Sequence, residues 1–134
     1  MLPPFDDRGY LPPGVHRCSV DEVAERFGRG SPERQVEMSE LRDFLEHCGR
    51  AGAKRALING SFTTAKESPN DVDVVIWLAV GISTHDRTIF DETMRWPFLH
   101  IQVAPDEDVY RFWGTQHFAT DRHEQPKGIV EVWL

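Results

Sequence analysis

No stretch of this 134-residue chain approaches the roughly 20 consecutive apolar positions that a membrane-crossing helix requires, so no bilayer span is expected. Cysteine is scarce. Cys18 and Cys48 stand alone without paired spacing, which argues against a disulfide framework or a zinc site and suits a reducing cytoplasm. The opening MLPPFDDRG has neither a basic segment nor an apolar core, so a secretory leader is not expected. Positive charge is also in short supply, at a net charge of −7. Proteins that grip duplex nucleic acid concentrate Lys and Arg, because counterion release supplies much of the affinity. Strong duplex binding is therefore not expected, and a nucleotide or a protein partner fits better. Arg42, Arg50 and Arg55 with Lys54 form a local basic group that reads as a solvated helix end. Internal repeats and low-complexity tracts are absent.

What is present reads as one domain over residues 1–134, with 1–17 as an extended arm. The arm's four prolines and two glycines suit neither a helix nor a central strand, while Phe5, Tyr10, Leu11 and Val15 give it apolar side chains to lay along the body. Ser19 followed by Glu22 predicts a helix through about Phe27, and Ser31-Pro32-Glu33 predicts a longer one. Met38, Leu41, Phe44, Leu45 and Cys48 recur at helical spacing and read as its core face. A third helix is expected from Thr84 to about Trp96, a strand at Leu99-His100-Ile101-Gln102-Val103, and an acidic helix start at Pro105-Asp106-Glu107-Asp108. Gly128 to Leu134 reads as a terminal strand. Its Val130, Val132, Leu134 side is packed and its Ile129, Glu131, Trp133 side only partly covered. The expected architecture is α/β, a mixed sheet of four to five strands with helices mainly on one face.

The most informative stretch is RALINGSFTTAKESPNDVDVVIWL, from Arg55 to Leu78. It reads as strand, tight turn, short helical connector and second strand. The apolar run Ala56-Leu57-Ile58 ends at Asn59-Gly60-Ser61, where glycine permits a sharp turn and close approach to a ligand, and Ser61 supplies a hydroxyl. Asp71 and Asp73, two apart on a strand, point to one side with alpha carbons about 7 Å apart. Paired carboxylates repel and are costly to desolvate, an arrangement that makes sense around a divalent cation.

Gly60-Ser61, nine intervening residues and Asp71-Val72-Asp73-Val74 resemble the signature of the polymerase-beta-like nucleotidyltransferase superfamily. The fuller NGSFTTAKESPNDVDVV, with PPFDDRGYLPPGVHRCSVDEVAERF and FATDRHEQPKGIVEVWL, is similar to a short bacterial nucleotidyltransferase-like family, across nearly the whole chain. The resemblance implies a magnesium-dependent transfer of a nucleoside monophosphate from a nucleoside triphosphate to a hydroxyl on a protein or RNA. Asp71 and Asp73 would be the catalytic metal ligands for Mg2+. Gly60 and Ser61 would hold the triphosphate, with Lys66 able to reach a phosphate or to remain a surface lysine.

The superfamily generally adds a third carboxylate on a neighbouring strand, where this chain offers Gln102 as the possible third position. An amide oxygen can ligate magnesium but brings no charge and cannot serve as a base. Asp106 and Asp108 read better as acids at a helix start, and Glu131 as part of a solvated strand face. The alternative is a catalytically degenerate fold that acts as a regulatory or partner-binding module of toxin-antitoxin type. A third reading, a haloacid-dehalogenase-type phosphatase, fits poorly because the aspartates open a strand instead of ending one. The six histidines show no metal-binding spacing, though His100 would share a strand face with Gln102. Arg122 and Lys127 could present charge to a phosphate or merely flank a turn, and Trp77 could wall the pocket or pack in the core.

Overall fold

Two serines set the helical framework. In the computed structural model, which describes residues 1–78 and 96–134, the Ser19 side chain accepts from the Glu22 N–H at 3.1 Å and opens α1, Val20–Phe27. The Ser31 side chain accepts from the Arg34 N–H at 3.2 Å and opens α2, Pro32–Arg50. The stripe Met38, Leu41, Phe44, Leu45 and Cys48 is buried, as its spacing predicts. Just before them on the same helix Arg34 and Glu37 are buried as well, which no apolar pattern announces.

Five strands form one sheet: β1 (Gly14–Cys18), β2 (Ala53–Asn59), β3 (Val72–Leu78), β4 (Leu99–Ala104) and β5 (Gly128–Trp133). Their order is β1-β5-β2-β3-β4. β1 with β5 and β3 with β4 run parallel, whereas β2 runs antiparallel to β3 and β5. This is the α/β mixed sheet expected. Alternation along the strands sends Ala56, Ile58, Val72, Val74, Ile76, Val130 and Val132 into one core with Phe27, Leu41 and Phe44 of the two helices. Burial of each large side chain there contributes about 1.5–3 kcal/mol. Leu57, Val75, Ala104 and Ile129 face the other way, against Tyr110 and Phe118. That second face is covered in part by α3, Glu107–Phe112, and the π-helical turn Trp113–His117. Its remaining opening holds the site described below.

The arm expected over residues 1–17 contains no helix and turns at Asp7-Arg8. Its end is edge strand β1, and an edge is where a lead-in of Pro12-Pro13 is tolerated, since proline cannot donate to a ladder. Leu2 and Leu11 are buried, and Tyr10 bridges Thr64 in a short antiparallel contact. Gly128 admits the arm: a Cβ there would stand 2.0 Å from the Pro12 carbonyl oxygen. The helix expected from Thr84 to about Trp96 falls on residues outside those described, apart from Trp96, which is buried. Among the described residues no helix is long and apolar enough to cross a membrane.

Candidate functional site

Strand register brings the chemistry together. Asn59 on β2 lies opposite Asp73 on β3, and Asp73 lies beside His100 on β4, all at one end of the partly covered face. Asp71 stands one residue before β3 begins. Gly60 turns the chain with φ 88°. A Cβ at Gly60 would stand 2.8 Å from the Asp71 carbonyl oxygen and 2.9 Å from Asp71 Oδ2, so both the dihedral and the available space call for glycine. The Ser61 N–H donates to Asp71 Oδ1 at 3.3 Å, and the Ser61 hydroxyl donates to the same oxygen. The bend thereby fixes the orientation of the first carboxylate.

The Ser61 loop is held from beneath by Arg34. Its buried guanidinium donates to the carbonyls of Phe27 at 3.1 Å, Phe62 at 2.8 Å, Thr64 at 2.6 Å and Lys66 at 2.6 Å. Four carbonyls on a planar, multiply donating group define the path of the loop. On the far side, Lys127 enters at the start of β5. Its Nζ is buried and donates to the Gly60 carbonyl at 3.0 Å. The arm adds Tyr10, whose hydroxyl donates to Asp121 at 2.8 Å, and Arg8, which donates to the Pro126 carbonyl at 2.7 Å. These pieces enclose a cleft of about 810 Å³ whose lining includes Gly60, Ser61, Asp71, Asp73, Asn59 and Lys127. Clefts of that size accommodate ligands as large as a nucleotide.

The electrostatics follow from crowding. Burial first, and then Asp71, pushes the Asp73 carboxyl above its usual range, while His100 and Lys127 pull it back. His100 Nδ1 stands 3.3 Å from Asp73 Oδ1. Burial pulls the Lys127 ammonium down, and Asp71, Asp73 and Asp121 oppose that. Beneath the cleft, burial pushes Glu37 up to about 7, with Arg34 opposing and Asp71 adding to the rise.

The residues expected from sequence separate into two groups. Gly60, Ser61, Lys66, Asp71 and Asp73 share the cleft, and so do Arg122 and Lys127. Gln102 does not line it. Gln102 is exposed beside Val75, one step along from His100, so the β4 residue next to Asp73 is a histidine and not the amide. Asp106 caps α3 by accepting from the Val109 N–H at 2.9 Å, and Asp108 lies in the first turn of the same helix. Glu131 is not on a solvated strand face. It is buried, accepts from the Tyr110 hydroxyl at 2.9 Å and pairs with Arg17 at 3.3 Å. Trp77 packs 5.8 Å from Tyr110, away from the cleft. Asn59, Arg8, Tyr10 and Asp121 are among the cleft residues that the sequence did not mark as site members. Asn59 had a signal, because it directly precedes the glycine turn.

Among the described residues no group of three His, Cys, Asp or Glu side chains is placed to hold a metal ion. The cleft does offer oxygens. Besides the two carboxylates, Asn59 Oδ1 is buried without a hydrogen-bond partner. An all-oxygen set of that kind suits a hard cation such as magnesium better than a soft one.

The fold and cleft define an α/β protein with a paired-acid pocket at the end of a mixed sheet. The chain belongs to a family of unknown function, DUF6932, whose model matches residues 3–133. No curated protein matches it. No solved structure matches it either.

Proposed function

We propose that the cleft binds a nucleoside triphosphate with Mg2+ and transfers a nucleoside monophosphate to a hydroxyl: the hydroxyl oxygen bonds to the α-phosphorus, the bond from that phosphorus to the β-phosphate oxygen breaks, and pyrophosphate leaves. The observation that carries this reading is the convergence of the Gly60-Ser61 bend, Asp71, Asp73 and the partnerless Asn59 oxygen on one cleft. Asp71 and Asp73 would hold the cation, with the Asn59 amide oxygen beside them. Magnesium, when bound, supplies charge compensation at the phosphate oxygens and readies the attacking hydroxyl. Ser61 acts by aiming Asp71, since its amide and hydroxyl are both directed at that carboxylate. Lys66, Arg8 and Arg122 line the same cleft and offer positive charge to a triphosphate.

One observation favours a second reading, a nucleotide-binding module without catalysis. Lys127 already compensates part of the charge on Asp71 and Asp73, and among the described residues no third carboxylate is placed with them to hold a metal, Asp121 of the same cleft accepting instead from Tyr10. Such a protein would serve as a regulatory or partner-binding component of toxin-antitoxin type. Incubation with each labelled nucleoside triphosphate, magnesium, and protein or RNA acceptors decides between the two. Label transfer that disappears in the Asp71→Asn, Asp73→Asn double variant supports the enzyme. Retained nucleotide binding with no transfer to any acceptor supports the module.

A further inference from the structure

A second recess opens on the same sheet face, between β1, β2, β5 and α3, with a volume of about 400 Å³. It shares strand β2 with the acidic cleft. Arg55 and Leu57 line the recess and Asn59 lines the cleft, so the residues of the two sites stand about 7 to 13 Å apart along the strand. The electrostatics are reversed here. Arg17, Arg55 and Arg111 line the recess against a single carboxylate, Glu131. Even counting Glu107, which accepts from Arg111 at 2.7 Å, three cations against two acids leave a positive surplus in a chain of net charge −7.

Arg55 is the distinctive group. Its guanidinium lies 4.3 Å from the Trp133 ring and 5.1 Å from the Trp77 ring, held between two indoles. Its ion pair with Glu131 is long, at 3.9 Å, and its buried Nε has no hydrogen-bond partner. Glu131 is engaged elsewhere, accepting from Tyr110 at 2.9 Å and from Arg17 at 3.3 Å. A stacked guanidinium short of acceptors, flanked by two exposed arginines, is the arrangement that recognises phosphate oxygens.

We infer that this recess is a second anion site that takes a phosphate group through Arg17, Arg55 and Arg111. The inference is independent of magnesium and of nucleotidyl transfer. The phosphate belongs either to a small phosphate ester or to a single-stranded RNA lying along the sheet. The test is calorimetric titration of the full chain, in EDTA, with inorganic phosphate and with hexauridylate, and with tryptophan emission as a second readout because indoles flank Arg55. Arg17→Ala and Arg111→Ala, at exposed positions, are expected to weaken binding about tenfold. Arg55→Lys keeps the charge and loses the planar fork, and it should weaken binding similarly. Arg29→Ala, at an exposed position outside both sites, should leave it unchanged, and Arg122→Ala tests whether the probe binds in the acidic cleft instead. Phosphate binding with this pattern supports the site for a small ester. Hexauridylate binding with this pattern, salt-dependent and without phosphate binding, supports it for a strand. Binding of neither probe, or binding lost in Arg122→Ala and kept in the Arg17 and Arg111 variants, overturns the inference.

Discussion

Lys127 Nζ donates to the Gly60 carbonyl at 3.0 Å, which joins the start of the last strand to the bend that carries the acid pair. This buried contact places a positive charge beside Asp71 and Asp73 and holds the turn at the same time. With His100 and Ser61, it offsets part of the charge of two adjacent carboxylates in the cleft.

Replacing the lysine separates those roles. Lys127→Met should cost about 3 kcal/mol of stability, because it leaves the carboxylates with less compensation. Magnesium should then stabilise the variant more than the parent in thermal melts. An equal magnesium response in both proteins means that Lys127 does not share the acids with the cation.

Neutralising Asp73 should act in the opposite direction. Asp73→Asn removes a carboxylate whose burial and proximity to Asp71 both disfavour its charge. The metal-free variant should melt at or above the parent temperature and show no magnesium-linked increase. Persistence of that increase counts against Asp73 as a ligand.

Gly60 provides a backbone test. A side chain at φ 88° is strained, and its Cβ would meet Asp71 at both the carbonyl and Oδ2. Gly60→Ala should therefore cost about 3 kcal/mol in denaturant unfolding and weaken nucleotide binding through a displaced Asp71. A near-neutral effect on both would show that the bend tolerates rearrangement.

Glu37 predicts a pH dependence. Its carboxyl is raised from the ordinary 4.5 to about 7 by burial, and its Oε2 has no hydrogen-bond partner. The folded state therefore binds more protons than the unfolded one between these values, so stability falls as pH rises through that window. The contribution is about 3 kcal/mol, fully lost above pH 7. Glu37→Gln should flatten this part of the stability profile relative to the parent. Parallel profiles for the two proteins would exclude the assignment.

The half of the site contained in one stretch was legible in the sequence. Asn59-Gly60-Ser61 and Asp71-Val72-Asp73 lie within one stretch of 15 residues, and a glycine turn followed by alternation is enough to make them converge. Lys127, Arg8 and Tyr10 come from opposite ends of the chain, and the β1–β5 and β2–β5 pairings with the Tyr10–Thr64 bridge bring them to the cleft. Glu131 shows the limit of alternation as a guide. Its strand side is partly covered as expected, yet the acid is buried because Arg17 and Tyr110 reach it from β1 and α3. Gln102 was expected near the acids, but β3–β4 register places His100 there instead. Arg34 and Glu37 were obscured for a related reason. The buried Arg34 is held by loop carbonyls that no helical period encodes, and Glu37 is buried beside that arginine.

The most direct measurement is calorimetric binding of a non-hydrolysable nucleoside triphosphate, with and without magnesium, to the parent and to the Asp71→Asn, Asp73→Asn double variant. The account predicts binding that magnesium strengthens in the parent and no magnesium dependence in the variant. Equal magnesium dependence in both proteins, or no binding by the folded parent, would contradict it.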